Sequence, residues 1–246
     1  MKKRYTFPLL VALLILHWQG AAMATPALQL DILGGTYDLT SDTIVSDGDN
    51  FTLYAYLLAD SDNLVSDYYF ISAAVTPRIN EPPAGVPVPN LGSFSFAGVP
   101  VQVTSGMSYG APPVDALFPD LAGHGIFETY YQEFKFQFPT AKVANESNSE
   151  TNAGQAPQDW TTGNVMYYAA FDIDTTSLAD GYEIHFDLYN ENLVTKKRTA
   201  NYTIQFAPFS HDAESRGDTP VPEPATMFLF GAGLVGLAGI SRKKRV

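Results

Sequence analysis

The 246-residue chain contains no cysteine. A disulfide framework, a thiolate nucleophile and a cysteine-ligated zinc ion are therefore all excluded. Stability has to come from the burial of apolar side chains. The stretch between residues 25 and 209 is long enough to form a substantial hydrophobic core.

Basic side chains are also scarce, and half of them lie at the two ends of the chain. Lys and Arg together number 14, against 26 Asp and Glu. The terminal ones are Lys2, Lys3, Arg4, Arg242, Lys243, Lys244 and Arg245. Between residues 25 and 221 only 7 basic side chains remain against 25 acidic ones. Such a negative body is repelled by nucleic acid, so we expect no nucleic-acid partner.

The body lacks a helical stripe and instead alternates apolar and polar residues. A period of two predicts β-strands, and many short strands separated by polar turns predict two packed antiparallel sheets. The fold class is therefore all-β, an antiparallel β-sandwich that is Ig-like or jelly-roll-like. The clearest predicted strands are 28–33, 51–58, 68–75, 99–103, 133–138, 165–173, 181–188 and 201–206.

Two long segments interrupt the alternation, at residues 77–92 and 141–163. Loops of this length are uncommon without a purpose, although insertions between strands without a function also occur. The alternation ends at Phe209, so residues 25–209 are predicted to form the domain. Residues 210–221 are polar and are predicted to be a flexible linker.

The N-terminal 24 residues have the pattern of a secretory signal peptide. A basic start is followed by an apolar run from Phe7 to Leu16. Ala22 and Ala24 flank Met23 in an A-x-A pattern, which predicts cleavage after Ala24. The apolar run is too short for a stable membrane span, which disfavours an uncleaved anchor.

The C-terminal segment, residues 222–246, has three parts in a fixed order. Pro222, Glu223 and Pro224 precede an uncharged span at residues 225–240, and the basic tail at 242–245 follows. The basic cluster is expected to stay in the cytoplasm, which places the domain outside it. The span is short and rich in glycine, so it is predicted to be a transmembrane helix that holds the protein only marginally. Its small residues could alternatively serve helix packing.

The sequence VPEPATMFLFGAGLVGLAGISRKKRV resembles a PEP-CTERM sorting signal. The resemblance implies recognition by an exosortase, a membrane-embedded transpeptidase-like enzyme of Gram-negative bacteria that make exopolysaccharide. It implies an inner-membrane intermediate through residues 225–240, followed by release to the cell surface or the extracellular matrix. It concerns sorting and implies no activity for the domain.

The body resembles the choice-of-anchor N family, across roughly residues 27–206. The segments that carry the resemblance are ALQLDILGGTYDLTSDTIVSDGDNFTLYAYL and LAGHGIFETYYQEFKFQF. Glu128 stands where that family often has proline. These extracellular domains have no established function, so the resemblance implies a role at or beyond the cell surface and no catalytic residue.

Glu183, His185 and Asp187 share one face of a predicted strand, where they could hold a metal ion or an acid/base pair. The simpler interpretation is the solvated side of an antiparallel strand, which we adopt because no third zinc ligand is identifiable. His124 lies between two glycines, as expected of a turn.

Two acidic turns are weak candidates for structural calcium. They contain Asp47 and Asp49 in SDGDN, and Asp60 and Asp62 in DSDN. Oxygen ligands suit Ca²⁺, but neither stretch has the full calcium-loop pattern, and these residues are also common in turns. We predict no cofactor, with structural calcium left open.

Paired tyrosines are the other signal for binding, at 68–69, 130–131 and 167–168. In each pair one ring is expected to face away from the core, where it could stack on sugars or only cover the sheet. Glu128 and Glu133 are formally a carboxylate pair. The sequence therefore favours a non-catalytic exported protein of the surface or matrix that is associated with exopolysaccharide and biofilm. The alternatives are a carbohydrate-binding module and, less favoured, a hydrolase.

Overall fold

The computed structural model describes residues 25–111, 128–196, 199–208 and 211–216. These residues contain fourteen β-strands and no α-helix. Accordingly, no helix within this part of the chain could cross a membrane. The predicted signal peptide, the sorting segment at 222–246 and His124 all lie outside the described residues.

The first sheet, here called sheet A, has the strand order β1-β4-β11-β6-β7, with β10 paired to β11. All of its pairings are antiparallel. Its strands are β1 (Leu28–Ile32), β4 (Asn50–Leu58), β6 (Ser93–Phe96), β7 (Val99–Gln102), β10 (Val143–Asn145) and β11 (Val165–Asp174).

The second sheet, sheet B, has the order β2-β3-β14-β12-β5-β9-β8, with β13 paired to β12. Its pairings are antiparallel except for the parallel pair β3 and β14. Its strands are β2 (Thr36–Asp38), β3 (Thr43–Val45), β5 (Tyr69–Thr76), β8 (Ser108–Gly110), β9 (Thr129–Phe136), β12 (Glu183–Lys196), β13 (Thr199–Phe206) and β14 (Ala213–Glu214).

One hydrophobic core draws side chains from both sheets, as in a β-sandwich. Leu53, Ala55 and Leu57 of β4 contribute to it, whereas the alternate Tyr54 and Tyr56 lie on the other face. The prediction of an all-β chain with two sheets is therefore confirmed. The choice between an Ig-like and a jelly-roll-like topology stays a prediction.

The loop at residues 141–163 is more structured than the sequence indicated. Val143–Asn145 forms β10, which pairs with β11. The following residues lie across the outer face of sheet A, where Gln29 of β1 bonds to the backbone of Ser147 and Ser149 at 3.0 and 2.8 Å. This segment therefore covers a sheet, whereas most side chains at 77–90 are exposed, as expected of a surface loop.

The prediction of a flexible linker at 210–221 is wrong for the described residues 211–216. Ala213–Glu214 forms β14, which inserts between β3 and β12. The backbone N–H of Ser215 donates to the carbonyl of Ile184 at 2.9 Å, and that of Ser46 donates to Glu214 at 3.0 Å. The alternation of apolar and polar residues could not predict β14, because only Ala213 of this strand enters the core. Backbone hydrogen bonds to β3 and β12 hold the strand in place, and they leave no pattern in the sequence.

Candidate functional site

The outer face of sheet B, opposite the core, carries a row of buried polar side chains. Asp187 of β12 lies opposite Ser72 of β5. On the other side of β12, Asp212 directly precedes β14, and its carbonyl accepts the N–H of Ile44, the residue after Thr43. We call Thr43, Asp212, Asp187 and Ser72 the buried polar row, because each is at most 1% exposed.

His185 lies next to this row, two residues before Asp187 on the same face of β12. Its Nε2 atom is 3.6 Å from Oδ1 of Asp187 and 3.8 Å from Oδ2 of Asp212. One ligand atom from each of the three side chains lies within 4.8 Å of the others. The two separations from His185 are longer than a direct hydrogen bond.

Several polar atoms of this cluster have no hydrogen-bond partner. They are Nε2 of His185, both carboxylate oxygens of Asp187, Oδ2 of Asp212, Oγ of Ser72 and Oγ1 of Thr43. A buried polar atom without a partner is costly, and most native proteins contain few of them. Their concentration along one row of sheet B is therefore a feature that needs an explanation.

The electrostatics of the cluster favour retention of protons. Burial lowers the pKa of His185, but the neighbouring Asp187 and Asp212 raise it more, so the net pKa lies well above the usual value. Burial and the negative charge of Asp187 raise the pKa of Asp212 well above its usual value, against the opposing effect of His185. Two carboxylates around one imidazole thus carry excess negative charge when fully ionised.

The structure corrects the interpretation of the Glu183, His185 and Asp187 face as solvated. Asp187 is 1% exposed and the His185 side chain 12%, while Glu183 is half-buried. Asp212, from the predicted linker, is the third side chain of a group that could hold a metal ion. Sequence spacing alone could not find it, because β12 and β14 meet only in the folded sheet.

The four calcium candidates are not brought together. Asp47 and Asp49 precede β4, and Asp60 and Asp62 follow it, so that a nine-residue strand of roughly 30 Å separates the two turns. Oδ1 of Asp60 accepts the backbone N–H groups of Asp62 and Asn63 at 2.8 Å each, which is the ordinary use of aspartate in a turn. Among the described residues, no group of three ligand-type side chains includes any of the four.

The outer face of sheet A carries a second candidate feature, three tyrosine rings in mutual contact. Ring centroids lie 6.0 Å apart for Tyr54 and Tyr56, 6.1 Å for Tyr54 and Tyr168, and 6.4 Å for Tyr56 and Tyr168. Tyr54 and Tyr168 are half-buried, while Tyr56 is only 5% exposed. We call these three the tyrosine cluster. Lys142 places its Nζ atom 5.8 Å from the ring centroid of Tyr168.

A pocket of about 130 Å³ adjoins the tyrosine cluster under the loop that covers β1. Its lining includes Asp31, Tyr56, Ser149, Gln155 and Gln158. Small-molecule sites usually measure about 300 Å³ or more, so this pocket has room for one end of a ligand only.

Asp31 is one of the two carboxyl groups among the residues that line this pocket, and it is 3% exposed. Its Oδ1 atom accepts the N–H groups of Ile32 at 2.8 Å and of Gly154 at 2.9 Å. Burial raises the pKa of Asp31 to about 7, although these two bonds act in the opposite direction. The carboxyl group is thus a pH-sensitive part of the sheet A surface.

We expect Asp31 to make the protein less stable as the pH rises from about 4 to about 7. Its folded pKa of about 7 exceeds the ordinary value of 3.8, so the folded chain binds more protons in this range than the unfolded one. Asp31→Asn keeps the Oδ1 acceptor and cannot ionise. It should raise the free energy of unfolding at pH 8 by about 2–4 kcal/mol and leave it almost unchanged at pH 4.

Denaturant unfolding at the two pH values measures this effect. Asp159→Asn is the matched control, because Asp159 is exposed on the same covering segment and should behave as wild type. Equal pH dependence in Asp31→Asn and wild type would show that Asp31 is already ionised in the folded protein at low pH.

The tyrosine pairs alternate as predicted. Tyr69 and Tyr130 belong to the core and Tyr167 packs against it, whereas Tyr68 is 53% exposed. Tyr131 faces outward but is buried, at 2% exposure.

Glu128 and Glu133 do not form a glycosidase pair. They stand five residues apart along extended chain, roughly 16 Å, whereas glycosidase carboxylates lie about 5–9.5 Å apart. Glu128 instead lies 3.8 Å from Arg78, and Glu133 accepts the hydroxyl of Tyr189.

Comparison with known families matches residues 220–244 to the PEP-CTERM protein-sorting motif. Such motifs are recognised by exosortases, and the match indicates an exported protein that is processed at the membrane. No curated protein and no solved structure matches the chain. The resemblance of the body to choice-of-anchor N domains gains no support from these comparisons and stays a prediction.

Proposed function

We propose that this protein is a non-catalytic component of the cell surface or extracellular matrix of a Gram-negative bacterium. After cleavage of the signal peptide it is held in the inner membrane by residues 225–240 and released by an exosortase. Its β domain then works outside the cell in association with exopolysaccharide in a biofilm. The match at residues 220–244 is the observation that supports this export route.

The tyrosine cluster supports polysaccharide binding as the more specific role of the domain. Tyr54 and Tyr168 offer partly exposed aromatic surface on one sheet face, and such rings suit contact with the apolar faces of sugars. The pocket beside them adds the carboxyl group of Asp31 and the amides of Gln155 and Gln158 as hydrogen-bonding groups. Aromatic surface with a few polar groups is the usual composition of a small-ligand site.

The size of the pocket and the carboxyl groups that line it favour the binding of a polysaccharide over its hydrolysis. The pocket of about 130 Å³ is too small to enclose a glycosidic bond together with the sugars on both sides of it. Asp31 is the only carboxyl group besides Glu146 among the residues that line this pocket. Hydrogen bonds with Thr25 and with Asn164, the latter at 2.8 Å, lower the pKa of Glu146 and thus favour a carboxylate over a general acid.

We expect the double variant Tyr54→Ala, Tyr168→Ala to bind exopolysaccharide about tenfold or more weakly than wild type. Truncation of an aromatic group at the centre of a contact typically removes more than about 1 kcal/mol of binding free energy. Exopolysaccharide purified from the bacterium's own culture is the probe, and affinity electrophoresis of the full-length protein in mild detergent measures binding.

Tyr68→Ala is the matched control, since this tyrosine is 53% exposed but lies away from sheet A, with Lys135 3.9 Å from its ring centroid. It should bind as wild type does. If the double variant binds as strongly as the control, the tyrosine cluster is not the sugar-binding surface. If wild type itself shows no binding, the association with exopolysaccharide is refuted, while the export route is unaffected.

A further inference from the structure

We propose that His185, Asp187 and Asp212 bind one divalent transition-metal ion of the Zn²⁺ type, which links the segment at β14 to its neighbour β12 in sheet B. The site combines a nitrogen and two carboxylates from strands that are distant in sequence but adjacent in the sheet. Nothing in the sorting signal or in the proposed sugar-binding surface requires it, so the site is independent of both.

The separations of the ligand atoms suit a shared ion. Zinc binds nitrogen and oxygen at about 2.0–2.2 Å, so two of its ligand atoms are at most about 4.4 Å apart. The Nε2 atom of His185 lies 3.6 Å from Asp187 and 3.8 Å from Asp212, inside that limit, and the ligand oxygens of Asp187 and Asp212 lie within 4.8 Å of each other, so a small shift would bring all three to one ion. Both distances also exceed hydrogen-bonding range, which leaves each ligand atom available.

The unpartnered atoms give an independent reason for an ion at this point. Asp187 and Asp212 are each 1% exposed, and the oxygens that face His185 have no hydrogen-bond partner. Direct coordination would satisfy these oxygens together with the imidazole nitrogen. The hydroxyl groups of Ser72 and Thr43, equally unpartnered, lie at the two ends of the buried polar row, beside Asp187 and Asp212 respectively.

Charge balance is compatible with a dication. Two ionised carboxylates and a neutral imidazole carry a charge of −2, which a divalent ion neutralises. Without an ion, neutrality needs protons on both His185 and Asp212, and the unpartnered carboxylate oxygens would still lack ligands. No Lys or Arg forms an ion pair with Asp187 or Asp212 among the described residues.

The nitrogen ligand decides between classes of metal. Ca²⁺ and Mg²⁺ prefer sites made wholly of oxygen, whereas imidazole suits zinc and its first-row neighbours. The site is buried, and its three protein ligands would leave the fourth position of a tetrahedral zinc ion to a water molecule. An ion bound there would hold β14 against β12 and so stabilise the C-terminal end of the domain, a few residues before the sorting motif at 220–244.

Metal content and thermal unfolding of the full-length protein in mild detergent test the proposal. After treatment with a chelator and dialysis against ZnCl₂, we expect about one zinc ion per chain by mass spectrometry of the metal. Zinc at one hundred times its dissociation constant should raise the melting temperature by about 5–10 °C. Ca²⁺ at the same concentration should have no such effect.

Asp187→Asn and Asp212→Asn preserve side-chain volume and should each weaken zinc binding by more than tenfold, since even the loss of a group that only hydrogen-bonds to a metal ligand costs about that much. Asp47→Asn is the matched control on an exposed turn and should keep both the zinc and the thermal shift. The wild-type stoichiometry remains informative even if a variant fails to fold.

Three outcomes would overturn the proposal. Wild type without bound zinc would show that the cluster is a protonated ion triad. Binding of Ca²⁺ in place of zinc would refute the assignment to a transition metal. Retention of zinc by a folded Asp187→Asn variant with wild-type affinity would place the ion elsewhere.

Discussion

Replacing Pro222, Glu223 and Pro224 together with alanine is expected to leave a full-length chain in the inner-membrane fraction, where wild type yields a shorter, released product. The two prolines lack an amide hydrogen and fix the backbone angle φ, so they oppose the extension of a following helix into this segment. Alanine is the strongest helix former. The replacement therefore removes both the acidic side chain and the extended backbone that an exosortase would recognise.

Mass spectrometry of the C-terminus in membrane, surface and culture fractions measures this outcome. Replacement of Pro87, Val88 and Pro89 by alanine is a matched control, because it alters the same Pro-x-Pro pattern in an exposed loop and should leave processing intact. An intact C-terminus at Val246 in wild-type protein from the surface or the culture medium would mean that the segment is an ordinary anchor.

Gly92→Ala is expected to lower the free energy of unfolding by about 3 kcal/mol or more. Gly92 has φ of +82°, and a Cβ atom there would lie 1.9 Å from the backbone oxygen of Ser177. A left-handed conformation costs alanine about 1–2 kcal/mol, and overpacking adds about 1–3 kcal/mol. The same backbone oxygen accepts the N–H of Ser93 at 3.0 Å, so it cannot move away without loss of that bond.

Gly98→Ala separates the cost of the left-handed backbone conformation from the cost of the steric clash. Gly98 has nearly the same φ, +79°, but a Cβ atom there would meet nothing within 4 Å. We expect this variant to lose only the conformational part, about 1–2 kcal/mol. Denaturant unfolding of the two variants measures the difference, and equal losses would show that the segment at Ser177 relaxes to accept the methyl group.

The sequence by itself was sufficient for the sorting motif and for the all-β class. The motif is a contiguous segment, so its three parts can be recognised without knowledge of any tertiary contact. Its match at 220–244 confirms the prediction. The strands predicted at 51–58 and 68–75, which the structure has as β4 and β5, were likewise visible, because alternate residues of a strand point to opposite faces whatever the strand pairs with. Both signals are local in the chain.

Local signals could not identify the very short strands. β2, β3, β8 and β10 have three residues each, too few to display alternation, and they are strands because a neighbour completes their hydrogen bonds. β14 is the clearest case, since a polar segment predicted to be a linker became part of sheet B through the backbone of β3 and β12.

Only the tertiary structure decided which polar residues are buried. His185 and Asp187 alternate with Ile184 and Phe186 as exposed residues do, and their burial follows from what covers the strand. Asp31 likewise alternates with Leu30 and Ile32, yet the segment around Gly154 removes it from water and raises its pKa. Desolvation depends on atoms from distant parts of the chain. The spacing of residues therefore indicated parts of the two candidate sites, His185 with Asp187 and the tyrosine pair at 167–168, whereas only the fold added Asp212 to the first and Asp31 to the second.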